Sequence, residues 1–195
     1  MKRTLLALTL FAGLAGTSAN ASELSYSFIE ADYVNAGDLG INFNGDFDGV
    51  SLRGSVALGD NFYLQGNYAN TSATSDFGVG SDFDTYSLGF GFRHNISDKA
   101  DLFADVNYVH WSFDTLGSIG ADDNGYRVRV GFRGALSDKF EGTIGVTHED
   151  LGDAGDAVSL SLGGQLKFND TWGAVAEVEA GGDDTRYLVG IRASF

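Results

Sequence analysis

Apolar and polar residues alternate with a period of two along most of the chain. From Tyr126 to Leu136 the even positions hold tyrosine, valine, phenylalanine, glycine and leucine, whereas three of the odd positions hold arginine. The same alternation occurs over 50–58 and 157–168. Because successive side chains of a strand point to opposite faces, the pattern predicts strands with one apolar and one polar face.

Ten segments carry this pattern. They span residues 24–34, 50–58, 62–70, 85–94, 101–112, 126–136, 140–148, 157–168, 172–180 and 186–195. The number is even, and most segments approach the roughly 9–11 residues that a tilted strand needs to cross a membrane. The predicted fold is therefore all-β: a single transmembrane antiparallel β-barrel of ten strands, with eight strands as the alternative.

The connections between these segments alternate in length. Short ones lie at 59–61, 95–100, 137–139 and 169–171, and mostly longer ones at 35–49, 71–84, 113–125, 149–156 and 181–185. Short turns on one side and longer loops on the other are typical of outer-membrane barrels. We therefore expect both termini and the short turns to face the periplasm.

The N-terminus has the form of a secretory signal. Lys2 and Arg3 precede an apolar run over 5–16, and Ala19-Asn20-Ala21 has the small-x-small form of a signal-peptidase site. The run is too short for a membrane-spanning helix, which needs about 20 residues. We expect a signal peptide over 1–21 and the barrel domain over 22–195, located in the bacterial outer membrane.

Composition excludes several classes of function. Without Lys2 and Arg3 the chain has 10 basic and 27 acidic residues, a formal charge of −17, which disfavours nucleic-acid binding. The absence of cysteine excludes disulfides and thiolate metal sites. We predict no cofactor and no metal centre.

A soluble barrel also alternates, with its apolar face inward, so a soluble periplasmic lipid-binding barrel is one alternative. Aromatic residues on the apolar face favour the membrane, because they gather near the strand ends as two interfacial girdles. Phe62, Phe92, Phe140, Phe168 and Trp172 lie towards the short turns, and Tyr68, Tyr86, Tyr108 and Tyr126 towards the long loops. The terminal Phe195 resembles the C-terminal signal that the outer-membrane assembly machinery binds, and we predict that machinery as a partner.

The polar face carries charges of both signs, which suits a polar lumen that pairs them. The predicted lumen network consists of Arg53, Arg93, Arg127, Arg129, Arg133, Lys167, Arg186 and Arg192 with Glu30, Asp32, Asp105, Glu141, Glu177 and Glu179. Because eight-stranded barrels are filled by their side chains, ten strands predict a narrow, mostly obstructed passage. Arginines of the sixth strand are expected to cross it towards acids such as Glu141, Asp105 or Glu177, and Arg129→Ala to raise conductance.

Small inward residues on the fourth, seventh and eighth strands oppose complete filling, because they leave space along part of the wall. They are Ser87, Gly89, Gly91, Thr143, Gly145, Ser159, Ser161 and Gly163.

The long connections and their boundaries are rich in acids and hold no lysine or arginine. The acids are Asp38, Asp46, Asp48, Asp76, Asp82, Asp84, Asp114, Asp122, Asp123, Glu149, Asp150, Asp153, Asp156, Asp183 and Asp184. Such a rim can hold divalent cations that bridge to lipopolysaccharide phosphates, so outer-membrane lipids and lipopolysaccharide are expected partners. A solvated rim without bound cations is the simpler interpretation, since no calcium-loop motif is present.

His110-Trp111-Ser112 is the most enzyme-like motif. Residues two apart share a face of a strand, and parity places this pair on the lipid side, where an outer-membrane lipid A deacylase is similar in carrying a His-x-Ser pair. Serine chemistry also needs a group that orients the histidine. Glu149 and Asp150 are conceivable, but neither is securely placed, so we predict a non-catalytic girdle pair.

His148-Glu149-Asp150 and Asp122-Asp123 resemble the acid and histidine pairs of omptin proteases, which also have ten strands. This chain is shorter and is expected to lack long strands above the membrane, so we interpret His148 as a loop-edge histidine. His94 has no evident partner.

Several strand motifs resemble a known family. They are Leu24-Ser25-Tyr26, the run over 30–35, the run over 49–58, Lys167-Phe168-Asn169 and Trp172-Gly173. These look like the small outer-membrane barrels of xanthomonad-type bacteria, a family once proposed to supply a secreted activator of plant immunity and a quorum signal. The resemblance implies fold and location, and it transfers no functional residues.

The sequence therefore predicts a non-enzymatic integral outer-membrane barrel with a structural, surface-interaction or very limited permeation role. A lipid A-modifying hydrolase is the first alternative, and the soluble periplasmic lipid binder the second.

Overall fold

A computed structural model describes residues 24–37, 47–74, 80–115, 119–181 and 184–195. The strands are β1 (Phe28–Ala36), β2 (Phe47–Leu58), β3 (Phe62–Thr74), β4 (Gly80–Ser97), β5 (Ala100–Thr115), β6 (Ile119–Ser137), β7 (Phe140–Asp150), β8 (Asp156–Lys167), β9 (Trp172–Gly181) and β10 (Asp184–Ser194). A single 3₁₀ turn, Gly152–Ala154, lies between β7 and β8 within this part of the chain. No helix of the described residues is long and apolar enough to span a membrane.

The ten strands form one closed antiparallel barrel, in which β1 pairs with both β2 and β10. Closure leaves no sheet edge unpaired, as a membrane-spanning sheet requires. The four short turns lie where the sequence predicts them, and Gly59 takes the positive φ of +79° that the β2–β3 turn needs. Ten strands are confirmed, and the eight-stranded alternative is wrong.

Four strands differ clearly in length from the prediction. The ladder of β1 begins only at Phe28, because the chain before Ser27 turns into the lumen, where Leu24 and Tyr26 are buried. At the loop end, β4, β5 and β6 reach 18, 16 and 19 residues. Their ladders continue through polar residues, where apolar alternation no longer marks a strand. The expectation that no long strands rise beyond the membrane is therefore wrong.

The barrel has its apolar surface outside and its charges inside. Outward residues such as Val50, Leu88 and Val189 are 59–61% exposed, whereas the lumen acids Glu30 and Asp101 are 0% and 1% exposed. The girdle aromatics all lie on the exposed outer face. This arrangement is the reverse of a soluble lipid-binding barrel and matches a wall that faces lipid.

Candidate functional site

The centre of the lumen holds a network of ion pairs around Arg53. Its guanidinium contacts Asp32 at 3.0 Å on β1 and Glu177 at 3.0 Å on β9, and it also pairs with Glu30. Arg192 of β10 pairs with Glu30 from the other side. Because β1 stands between β2 and β10, Glu30 lies opposite both arginines in the register. The Arg53–Glu177 contact passes over two intervening strands, β1 and β10.

The β6 arginines form their ion pairs along the wall. Arg129 contacts Asp105 of β5 at 3.2 Å, and Arg133 contacts Glu141 of β7 at 2.5 Å. Arg127 contacts Glu149 of β7 at 2.6 Å. Two of the acids that the sequence predicted as partners, Asp105 and Glu141, do pair with β6 arginines. Because each ion-pair partner is on a neighbouring strand, these pairs do not cross the passage as predicted. The third predicted acid, Glu177, pairs with Arg53 of β2.

The remaining lumen cations also meet acids. Lys167 contacts Glu141 at 2.6 Å, Arg186 contacts Glu179 at 3.6 Å, and Arg93 contacts Asp101 at 3.9 Å. Sequence reasoning missed Asp101, whose parity in β5 matches that of Asp105, and it placed Glu149 on the rim. With these two added, the ion-pair network of the described residues has eight basic and eight acidic side chains: Arg53, Arg93, Arg127, Arg129, Arg133, Lys167, Arg186, Arg192, Glu30, Asp32, Asp101, Asp105, Glu141, Glu149, Glu177 and Glu179.

The end of the lumen at the short turns is occupied by residues 24–27, here called the N-terminal segment. Leu24 and Tyr26 are 2% and 6% exposed and pack with Tyr63 of β3. The Arg133 guanidinium of β6 donates to the Ser25 carbonyl oxygen at 2.7 Å. Ser25 also lies beside the end of β10, where its Oγ donates to the Phe195 carbonyl oxygen at 2.8 Å. Because β1 and β6 stand on opposite sides of a ten-strand ring, the N-terminal segment and the Arg133 side chain together bridge the lumen.

Tyr26 is held between two cations. The guanidinium carbons of Arg93 and Arg133 lie 4.7 Å and 5.0 Å from its ring centroid, a geometry that gives cation–π attraction. Tyr63 lies 5.0 Å away between ring centroids and donates to Asp105 at 3.1 Å. A Cβ at Gly91 would lie only 2.0 Å from the Tyr63 ring, so the space that Gly91 leaves is filled by this ring.

Above the N-terminal segment the lumen contains a cavity of about 830 Å³. Its wall is charged near Arg53, Arg129 and Glu177 and apolar towards the loops. The apolar part belongs to β1–β5, where Ala36, Phe47 and Ala73 form a buried cluster with Phe83 and Phe113. Side chains therefore only partly fill the lumen, as the small inward residues of β7 and β8 suggested.

The β7–β8 connection bends over the inner face of β6. A Cβ at Gly125 would lie 2.0 Å from the Asp150 carbonyl oxygen, so only glycine allows this close approach. The Leu151 carbonyl oxygen accepts from Trp111 Nε1 of β5 at 3.0 Å. Asp123, which lies beyond the outer girdle, accepts from the Asp153 amide at 3.0 Å, and this hydrogen bond lowers the pKa of Asp123.

His110 and Ser112 lie on the outer face of β5, on the lipid side as predicted. His110 Nδ1 lies 2.8 Å from Asn124 Oδ1 of β6, and its ring packs on Tyr86 at 4.6 Å between centroids. Glu149 and Asp150 do not orient it, because Glu149 faces the lumen and binds Arg127. Asn124 was missed because an amide, unlike a carboxylate, gives no charge signal in the sequence.

His148 packs edge-on against the Tyr126 ring at 5.9 Å, a girdle contact with no protease-like acid pair beside it in the described residues. His94 lies on the exposed outer face near the β4–β5 turn.

The acidic rim is only partly described. Asp38, Asp46, Asp76 and Asp183 lie outside the described residues, and so does the side chain of Asp184. Six further acids lie within strands, at the ends that carry the long loops: Asp48, Asp82, Asp84, Asp114, Asp122 and Asp156. Among the described residues, no three histidine or acidic side chains converge as metal ligands would.

Solved outer-membrane barrels share this fold. The translocator domain of the autotransporter NalP from Neisseria meningitidis matches at 16% identity and a TM-score of 0.52, covering 100% of this chain and 94% of that one. The NanC porin matches at 8% identity with a TM-score of 0.53, covering 86% of this chain and 100% of that one. The KdgM porin in complex with disordered oligogalacturonate matches at 15% identity with a TM-score of 0.50, covering 85% of this chain and 99% of that one.

The chain thus has an outer-membrane β-barrel fold. No family model matches the sequence, and no curated protein matches it.

Proposed function

We propose that the protein is an integral outer-membrane barrel of very limited permeation, whose lumen is closed at the periplasmic end by its own N-terminal segment. The observation that carries this proposal is the hydrogen bond from Arg133 of β6 to the Ser25 carbonyl oxygen, through which the Arg133 side chain and the N-terminal segment together bridge the barrel. The cavity of about 830 Å³ beyond the N-terminal segment gives a solute room to enter the lumen from the loop end, without a path through to the other end.

The charge balance of the lumen supports the same conclusion. Ion pairs along the wall neutralise the charges at the centre of the lumen, so this central part favours neither cations nor anions by net charge, whereas Asp153 and Asp156 line the loop end of the cavity. Buried charges are costly unless they are paired, which explains why the acids and arginines meet across neighbouring strands.

Liposome swelling tests this function. Purified protein is reconstituted into vesicles that hold an impermeant sugar polymer, and arabinose is added outside. We expect almost no swelling with the wild type and rapid swelling with Tyr26→Ala. The matched control is Tyr33→Ala, since Tyr33 is a β1 tyrosine on the outer face with 53% exposure. Rapid swelling with the wild type would contradict the proposal.

The location and orientation need a separate experiment. A short epitope inserted at Gly120, at the loop end of β6, should bind antibody on intact cells. An epitope inserted at Asp138, in the short β6–β7 turn, should bind only after permeabilisation. Labelling of Asp138 alone on intact cells would reverse the orientation.

A further inference from the structure

The outer face of β5 and β6 carries a group of side chains that the lumen does not use. His110 Nδ1 lies 2.8 Å from the carbonyl oxygen of the Asn124 side chain. A carbonyl oxygen only accepts hydrogen bonds, so Nδ1 carries the proton in this contact and Nε2 is left with a free lone pair. Asn124 also accepts from the Tyr108 hydroxyl, which fixes the amide in place.

Ser112 stands beside this histidine. It is two residues further along β5 on the same outward face, at a strand spacing of about 6.6 Å, which a histidine ring and a serine hydroxyl together can bridge. The Ser112 hydroxyl makes no hydrogen bond to another described residue, so it is free to approach His110 Nε2. Contacts between a nucleophile and its base often tighten only when substrate binds.

We propose that Ser112, His110 and Asn124 form an ester-hydrolase site on the lipid-facing wall of the barrel. Ser112 is the nucleophile and His110 Nε2 is the general base. Asn124 is a positioning residue that holds the proton on Nδ1, as the third member of a serine or cysteine triad does. The prediction that the pair is non-catalytic relied on the lack of an orienting group, and Asn124 supplies that group.

The reaction is acyl transfer followed by hydrolysis. Nε2 takes the Ser112 proton while Oγ bonds to the ester carbonyl carbon, and the bond to the leaving alcohol breaks as His110 returns a proton to it. Water then attacks the acyl-serine with His110 again as base. The products are a free fatty acid, an alcohol and the regenerated serine.

The position of the site defines the substrate class. Tyr86 and Tyr108 belong to the outer girdle, and the His110 ring packs on Tyr86 across the β4–β5 pair. Ser112 lies two residues further towards the loops, opposite Asp84 and Asp122, so the site is on the head-group side of the girdle. A lipid beside the barrel would present there the O-acyl esters nearest its head group. Both a glycerophospholipid and the acylated glucosamine lipid of lipopolysaccharide carry such esters.

Two acids flank the nucleophile. Asp84 of β4 and Asp122 of β6 lie directly opposite Ser112 in the register. Their negative charges oppose the oxyanion that forms when serine attacks, and a divalent cation would offset this effect. The assay buffer therefore contains calcium chloride.

The test measures fatty-acid release by mass spectrometry. The folded full-length barrel is placed in vesicles of phosphatidylethanolamine or of purified lipid A, and the lipid that is cleaved identifies the source of the ester. We expect release by the wild type and a loss of at least about 100-fold for Ser112→Ala and for His110→Ala. A fluorophosphonate probe should label the wild type and not Ser112→Ala.

Asn124 and a control residue complete the design. Asn124→Ala should lower the rate, and Asn124→Asp should restore it with a pH profile displaced to higher pH, because a carboxylate stabilises the protonated histidine. His148→Ala is the control, since His148 is a girdle histidine that packs on Tyr126. No release from either lipid by a barrel that shows heat-modifiable migration, or full activity of Ser112→Ala, would overturn the proposal.

Discussion

The two ends of the lumen are built from the same ten strands and differ in what fills them. At the short-turn end, Tyr26 of the N-terminal segment packs on Tyr63 and between two arginines. At the long-loop end, aromatic residues such as Phe83 and Trp111 line a cavity. Barrel width therefore does not decide whether such a lumen is filled. A short piece of chain outside the strands decides it.

The ion pairs at the centre of the lumen lie between these two ends. Substitutions in these ion pairs should have the largest effect on stability. Glu30 is 0% exposed and pairs with Arg53 and Arg192, so Glu30→Gln removes the carboxylate that Arg192 pairs with and one of the three that Arg53 pairs with. We expect a loss of about 3–5 kcal/mol in the free energy of unfolding. Urea unfolding in detergent, followed by tryptophan fluorescence, measures it.

The control for this experiment is Asp170→Asn, which removes the same charge from an exposed turn. A change within about 0.5 kcal/mol is expected there. Equal effects of the two substitutions would mean that the central ion pairs do not stabilise the barrel.

The packing at the closed end should respond to a single methyl group. Gly91→Ala places a Cβ 2.0 Å from the Tyr63 ring, which must move and loosen its contact with Tyr26. We expect a loss of about 1–3 kcal/mol and faster liposome swelling. Gly163→Ala is the matched control, because its Cβ would make ordinary contacts from 3.4 Å. If the two variants behave alike, Tyr63 does not support the closed end.

The outer end should show the smallest effect, confined to one loop. Asp123 holds the β7–β8 connection through the Asp153 amide, and this hydrogen bond lowers the Asp123 pKa below 3.8. Because the pKa is lowered, the Asp123 carboxylate is charged at neutral pH and holds the connection there. This stabilisation is lost only as the pH falls below that ordinary value. Asp123→Ala should therefore increase proteolysis at residues 151–155 at pH 7, without changing the barrel's unfolding.

Proteolysis of the wild-type loop should stay constant between pH 7 and pH 5. The control is Asp156→Ala, which removes a neighbouring acid that has no hydrogen bond to this connection in the described residues. Loop cleavage in wild type that rises at pH 5 would show that a group other than Asp123 holds the connection.

The sequence predicts the wall better than the contents of the lumen. Alternation fixes which side of β6 faces lipid, because a one-residue shift would turn Arg127, Arg129 and Arg133 outward. It carries no information about Tyr26, whose place depends on contacts with β3, β4 and β6 rather than on its neighbours in the chain. The same limit applies to the outer face, where Asn124 meets His110 only through the β5–β6 register.

The central claim, that the N-terminal segment closes the lumen, is tested most directly by single-channel recording in planar bilayers. Purified wild type should show no steady conductance, whereas a Leu24→Ala, Tyr26→Ala double variant should show stable channels of one size. Tyr33→Ala should remain silent like the wild type. Large, stable currents from the unmutated protein would contradict the account and indicate porin-type diffusion.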